Sequence, residues 1–434
     1  MTPVDRERTS SAAAAVLAGQ DDLKGWQEDL YRALHEHPEL ADQEVRTAAT
    51  AAAVARDAGY EVHERIGTTG VVAILRNGDG PTVLMRADLD GLPMAEETGL
   101  PYASRAETTD ATGQTVPVAH ACGHDVHVAT LLGAARLLSA ERSAWRGTFI
   151  ALFQPAEELG TGARGMVDGG LTGVVPKPDV VLGQHVLAYP AGTVGTLAGP
   201  FLSTAASMRI TVHGRGGHGS MPQLATDPVV LAAMIVVRLQ AIVAREVAPG
   251  DFAVLTVGRI AAGTKSNIIP DQAVIELNIR AYDDTVRTAL IESIKRVVEG
   301  ECAASGSPRD PEFDVYGEYP LTDNDPEVTA RVAEAFETYF GDAATTVRRG
   351  SASEDFSVIA TAFGVPYTYW AVGGIEPETW QRAAAAGTLA SDIPSNHSPK
   401  FAPVIQPTLT TGTAAIVVAA LAWLTGSERT EVSE

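Results

Sequence analysis

His120-Ala121-Cys122-Gly123-His124-Asp125-Val126-His127 constrains this chain more than any other stretch. Four potential soft or borderline metal donors fall within eight residues, in a chain holding only ten His and two Cys. Cys122 and His124 are two positions apart, so on an extended segment or tight turn they can face the same way. Gly123 between them removes the Cβ that would obstruct close approach to an ion. One thiolate and one imidazole suit a divalent ion of the Zn or Mn kind. Two donors do not close a site, so the others must come from elsewhere. The competing reading is a buried Cys beside a helix N-terminus, with surface His around it.

At 434 residues the chain is long enough for two domains, or one with an insertion. A hydrophobic content of 45% fits a globular protein with ample core, and the net charge is −22. Such a surface repels phosphate backbones and anionic lipid, which argues against nucleic-acid or membrane partners. Cys122 and Cys302 are too few for a disulfide scaffold. The N-terminus is not a convincing signal peptide, and a cytoplasmic protein is the expectation. The run Ala414–Leu424 is too short to span a bilayer and suits a buried helix.

Residues 1–20 read as a loose leader. Leu23, Trp26, Leu30 and Leu34 then mark a helix closed by Pro38. Apolar stretches at 70–75, 82–85, 148–153 and 180–183 read as strands; the last is expected to end in Gln184-His185. Fully apolar strands alternating with helices imply a mainly parallel sheet covered on both faces, with sites at carboxyl ends of strands. From about residue 203 the order becomes β-α-β-β-α-β, a ferredoxin-like sandwich inserted as a unit. The expected division is 1–202 plus 317–434 for the catalytic domain and 203–316 for the insertion.

Glu157-Glu158 follows one of these strands. Adjacent side chains there point in opposite directions, so one carboxylate can hold a metal while the other faces substrate and moves a proton. Two solvated acids at a loop start are the plainer alternative. His185 and His397 read equally well, one at a time, as hydrogen-bonded core or loop imidazoles. Gly214-Arg215-Gly216-Gly217-His218-Gly219 spells a dinucleotide-binding G-x-G-x-x-G. However, Pro222 and Pro228 crowd the place where the following helix should begin. A Cys122 nucleophile is a further alternative, but it leaves Glu158, His185 and His397 without a purpose.

Seven motifs, in order along nearly the whole chain, resemble one family. They are Leu34-His35-Glu36-His37-Pro38-Glu39-Leu40, Arg86-Ala87-Asp88-Leu89-Asp90, His120 to His127, Gln154-Pro155-Ala156-Glu157-Glu158, Gly216 to Pro222, Asn267-Ile268-Ile269-Pro270, and His397-Ser398-Pro399. The resemblance is to the amidohydrolase branch of the aminoacylase and carboxypeptidase type of co-catalytic metallopeptidases. Hippurate hydrolases, N-acyl-amino-acid amidohydrolases and auxin–amino-acid conjugate hydrolases belong to it.

That resemblance implies an α/β catalytic domain with a ferredoxin-like lid that also dimerises. It implies five metal ligands, Cys122, His124, Glu158, His185 and His397, around two divalent ions about 3.5–4 Å apart. Zn or Mn is expected, with Co or Ni also compatible. Glu157 would be the general base, His218 and Asn267 would stabilise the tetrahedral oxyanion, and Arg280 would pair with a substrate carboxylate. The substrate would be a small N-acyl amino acid, and a dipeptidase or carboxypeptidase is the runner-up. A chain that keeps the fold for binding alone would not need a complete base and ligand set. One departure separates this branch from its aminoacylase relatives: where those carry His-x-Asp, with the His as a metal ligand, this chain has Arg86-Ala87-Asp88, so Asp88 cannot simply inherit the role of orienting a ligand His.

Overall fold

The computed structural model describes residues 2–425; Met1 and residues 426–434, at the ends of the expected catalytic domain, lie outside the described residues. Contacts divide the chain into two compact units. One comprises Met1–Phe201, Asp323–Arg348 and Asp355–Glu434, the other Leu202–Thr322 with Arg349–Glu354.

The first unit is built on an eight-stranded sheet. Its strands are β1 (Glu61–Ile66), β2 (Gly70–Asn77), β3 (Thr82–Asp88), β4 (Gly147–Gln154), β5 (Val180–Pro190), β6 (Val194–Thr196), β7 (Ala344–Thr346) and β8 (Tyr367–Ile375). They lie in the order β1-β2-β4-β3-β5-β8-β6-β7. β3 is parallel to both β4 and β5, β5 is parallel to β8, and antiparallel pairs occupy the β1–β2–β4 edge. The continuous apolar runs follow from this position, because helices cover both faces and every side chain of a central strand must be buried. Thus Val83, Leu84, Met85, Phe149, Ile150, Ala151, Leu152 and Phe153 are all buried.

The helices Gln20–Glu36, Val45–Asp57, His124–Ala140 and Ile405–Leu424 supply the main core, with Ala414–Leu424 buried throughout. By length and composition alone, Ile405–Leu424 and Pro228–Arg245 are apolar enough to cross a membrane, but the first is 83% buried within the protein. It is a core helix. β5 does not stop at His185 but continues to Pro190, because its pairing with β8 runs on to Ile375.

Residues 1–20 are not a loose leader. Pro3–Leu17 is a helix opened by a capping box, in which Thr2 and Asp5 each bond the other's backbone N–H. Its Ala12, Ala13, Val16 and Leu17 are buried. Alanine is a weak hydrophobe, so the buried stripe left little trace in the sequence; its small side chain is what permits close helix packing.

The second unit is a β-α-β-β-α-β sandwich. Its antiparallel sheet has the order Ala253–Ala262, Gln272–Ala281, Thr204–His213, Glu312–Tyr319. Helices Pro228–Arg245 and Asp284–Ala304 pack on it, each opened by an aspartate N-cap, Asp227 and Asp283. Period-two alternation buries Ala273, Ile275, Leu277, Ile279 and Ala281 from one strand.

Candidate metal centre

Three parallel strands bring the first unit's polar residues to one level. Asp88 of β3 lies opposite Gln154 of β4, and Arg86 lies opposite Gly183 of β5, which sets His185 two residues further on. The chain passes from β3 to β4 on one side, then crosses to β5 on the other. Such a reversal leaves a crevice at the carboxyl ends of the strands.

Cys122 lies in the turn before helix His124–Ala140. Gly123 caps that helix with φ 87°, and a Cβ there would come within 2.4 Å of Val186 Cγ1. Only glycine fits both the left-handed backbone and the gap. The turn sets the Cys122 sulfur 3.5 Å from His185 Nε2. His185 Nδ1 donates to the Val186 carbonyl at 2.8 Å, which fixes the tautomer that turns Nε2 towards the sulfur. His124 Nδ1 likewise donates to the Asp90 carbonyl at 2.9 Å. His124 Nε2 is buried and has no hydrogen-bond partner among the described residues. His397, in a loop with φ 67°, lies 3.3 Å from Glu158 Oε2, and its N–H donates to the Ala121 carbonyl. Asn396 ties that loop down by donating to the carbonyls of Cys122 and Val186, both at 3.0 Å.

Two three-donor groups result, each with its donor atoms within 4.8 Å of one another: Cys122, His124 and His185, and Cys122, Glu158 and His397. They share Cys122. Glu157 joins a third group with His124 and Glu158 and is itself 6% exposed. A thiolate, imidazoles and a carboxylate form a borderline-soft donor set suited to divalent ions of the Zn kind. His124 Nε2 is the strongest mark of a fit: it is buried without a hydrogen bond among the described residues, with the Asp88 carboxylate 3.5 Å away, and an ion would satisfy it once the proton is displaced.

The electrostatics point the same way. Burial pushes the Cys122 thiol up, and the Glu158 charge adds to the effect. Hydrogen bonds to Cys122 and Glu158 raise His397 to about 10. For His124, burial opposes the charge but the Asp88 carboxylate overcomes it, raising the imidazole well above its ordinary value. Protons on these rings balance the buried anions, and a divalent ion would displace them.

Asp88 takes another part. Its Oδ2 accepts from Arg86 at 2.6 Å and its Oδ1 from His127 Nδ1 at 2.5 Å. His127 Nε2 accepts the Val186 N–H, so Nδ1 carries the proton. Arg86 is fully buried and also reaches Gln154 at 2.9 Å and Asp355 at 3.4 Å. Position 86 thus holds a fixed guanidinium that pairs with Asp88. His120 is buried with neither ring nitrogen hydrogen-bonded among the described residues, and burial lowers it to about 4, so it is neutral at neutral pH.

Asp90, the last residue of the Arg86–Asp90 motif, is fully buried. It accepts the Glu157 N–H at 3.2 Å and the Glu158 N–H at 3.0 Å.

The remaining expected residues belong to the second unit. His218 pairs with Ile268 in a two-residue strand, and Gly219 N–H donates to the Asn267 carbonyl. His218 Nδ1 accepts the Ser220 N–H at 3.1 Å, so the neutral ring carries its proton on Nε2. Arg280, in strand Gln272–Ala281, donates to the Ser351 carbonyl at 2.6 Å and to Asn278 at 3.2 Å.

The sequence model described as Peptidase family M20/M25/M40 matches residues 84–385. The chain belongs to this family. Among the relatives of this M20 protein is "Thermostable carboxypeptidase 1" of Saccharolobus solfataricus, 36% identical over 81% of this chain and 86% of that one. "Hippurate hydrolase" of Campylobacter jejuni is 38% identical over 77% of this chain and 85% of its own length. The crystal structure of the Bacillus subtilis YXEP protein, described as a dinuclear metal binding peptidase from the M20 family, superposes with a TM-score of 0.73. It is 29% identical and covers 92% of this chain and 98% of that one. The M20 protein is thus a metal-dependent amidohydrolase acting on linear amides.

Proposed function

We propose that the protein cleaves the amide bond of small N-acyl amino acids, hippurate-like or N-acetylated, with Glu157 as general base. The observation that carries this reading is the pair of three-donor groups sharing Cys122, with the Glu157 carboxylate beside them. Cys122, His124, Glu158, His185 and His397 would hold two divalent ions, Zn or Mn. When bound, the ions supply Lewis acidity and an acidified water. Glu157 takes the proton of the attacking water and returns it to the leaving amine. His218, through Nε2–H, and Asn267 donate to the oxyanion that develops on the acyl oxygen. Arg280 pairs with the carboxylate of the amino-acid half.

Hippurate is the substrate named for one relative at 38% identity, and it has both an aromatic acyl group and a free carboxylate. A carboxypeptidase or dipeptidase reading on the same centre has its own support in the relative named a carboxypeptidase. The test is a screen of N-acetyl, N-benzoyl and long-chain N-acyl amino acids beside dipeptides, on enzyme of defined metal content. Turnover of dipeptides alone would overturn the acyl-amino-acid assignment. Glu157→Gln should keep its metal and lose on the order of 10³-fold in kcat; an active Glu157→Gln enzyme would remove the base.

A cytoplasmic homodimer completes the reading. Both cysteines are free thiols, which fits a reducing compartment. Val230, Met234 and Val237 form an exposed apolar seam along helix Pro228–Arg245, at 59%, 53% and 70% exposure, and Ile260 lies exposed on the edge strand of the same unit. Val237→Glu should yield a monomer in analytical ultracentrifugation; an unchanged mass would exclude this face.

A further inference from the structure

The turn that carries Glu157 and Glu158 is held by its backbone. Three successive amides point to two buried carboxylates: Ala156 N–H donates to Glu44 Oε1 at 2.8 Å, Glu157 N–H to Asp90 Oδ1 at 3.2 Å, and Glu158 N–H to Asp90 Oδ2 at 3.0 Å. Ala156 is fully buried with φ 48°, a left-handed conformation that a non-glycine residue adopts only when its surroundings impose it. Glu44 is fully buried too and lies far away in the sequence, just before helix Val45–Asp57. Its own carboxylate is fixed at both oxygens. Oε1 also accepts the Asp42 N–H at 3.0 Å, and Oε2 accepts the Thr69 hydroxyl at 2.7 Å. On the far side, a Cβ at Gly162 would come within 1.6 Å of the Pro155 carbonyl oxygen, so the returning chain closes the turn tightly.

We propose that Glu44 is a positioning residue for Glu157: by holding the Ala156 amide it keeps the left-handed turn that aims the base at the donors around Cys122. This rests on the reading of Glu157 as base. The requirement is an acceptor rather than a charge. Burial raises the Glu44 carboxyl to about 7, so both of its forms occur at neutral pH. Oε1 accepts in either form, and the Thr69 hydroxyl can reverse to accept a proton borne on Oε2. The Asp90 carboxylate is less suitable for a test, because its Oδ1 also lies 3.4 Å from His124 Nδ1.

The test compares Glu44→Ala, Glu44→Gln and Glu157→Gln in the metal-loaded enzyme, by kcat, KM and metal content. Without the acceptor the turn relaxes and the base is misplaced by a fraction of an ångström or more, for which a loss on the order of 10²-fold is expected. Glu44→Ala should therefore lower kcat by that order, with KM within about threefold and metal content unchanged. Glu44→Gln should restore most of the loss, since its amide oxygen replaces Oε1 and its NH₂ donates to Thr69. A wild-type kcat in Glu44→Ala overturns the proposal, as does a Glu44→Gln enzyme as impaired as Glu44→Ala. If Glu44→Ala does not fold or loses metal, Thr69→Val decides. It keeps the carboxylate but frees Oε2, so kcat should fall several-fold at full metal content, and an unchanged kcat refutes the role. Activity in Glu157→Gln would instead remove the base reading itself, whatever Glu44 does.

Discussion

His35 offers a quantitative test of the buried electrostatics. It is 1% exposed, packed against the rings of Tyr31 and Tyr102, and its two nitrogens face Asp125 at 2.6 Å and Glu96 at 3.1 Å. Burial works against its charge, yet the hydrogen bond and charge of Asp125, then those of Glu96, win and raise the imidazole from 6.5 to about 10. A group whose folded pKa is raised stabilises fully below its unfolded pKa and loses that contribution as the pH climbs to the folded value. The window here is therefore pH 6.5 to about 10. At 1.36 kcal/mol per unit, the gross contribution is about 5 kcal/mol, with about 2 kcal/mol of it lost by pH 8. The perturbation is His35→Gln, which is neutral at every pH. All five tryptophans lie in the first unit, so their fluorescence during urea unfolding of metal-stripped protein reports on the unit that contains His35. The stability gap between wild type and variant should be widest at pH 6 and narrow steadily towards pH 10. A gap that stays constant across that range would show that His35 is not charged and refute the reasoning.

Alkylation of Cys122 should be slow in the metal-loaded enzyme and faster after chelation, because a bound thiolate is protected; mass spectrometry showing equal rates would argue against a ligand. Gly123→Ala must place its Cβ 2.4 Å from Val186 Cγ1 at a φ of 87°, so the Cys122–His124 turn should shift and zinc affinity should fall at least ~10-fold in a chelator competition. An unchanged affinity would mean that the turn tolerates a side chain. Arg280→Ala should raise KM for an acyl amino acid by roughly 10-fold or more and matter much less for the corresponding amino-acid amide. Equal weakening of both substrates would remove the carboxylate anchor.

Much of the centre was legible because its donors sit in short motifs of unusual residue types. Cys122-Gly123-His124 announced itself by spacing, and Glu157-Glu158 by following an apolar strand. What the sequence hid is pairing at long range. That Cys122 is common to two donor groups depends on His185 and His397, brought in by a strand and a distant loop. Arg86 looked like a lost ligand; it pairs with Asp88 two residues on, but also reaches Gln154 and Asp355, 68 and 269 residues away. Glu44 and Asp90 act through main-chain amides, which every residue possesses and no motif can advertise. The Pro3–Leu17 helix escaped notice because alanine contributes shape more than hydrophobicity.

The buried helix Ile405–Leu424 also governs how this protein is made. It is the last described element, yet its side chains fill the core against helix His124–Ala140 and strand β3. β8, which the sheet needs beside β5, precedes it by only a short interval, whereas the strands and helices of the inserted sandwich are all made by residue 319. At ~5–20 residues per second a ribosome therefore completes the sandwich elements roughly 5–20 s before the helix that closes the larger core. Until then, β3 exposes part of the apolar surface that helix Ile405–Leu424 covers in the folded protein. A nascent chain stalled before residue 405 is the natural client of a chaperone, and loss of helix Ile405–Leu424 should cost solubility before it costs any catalytic group.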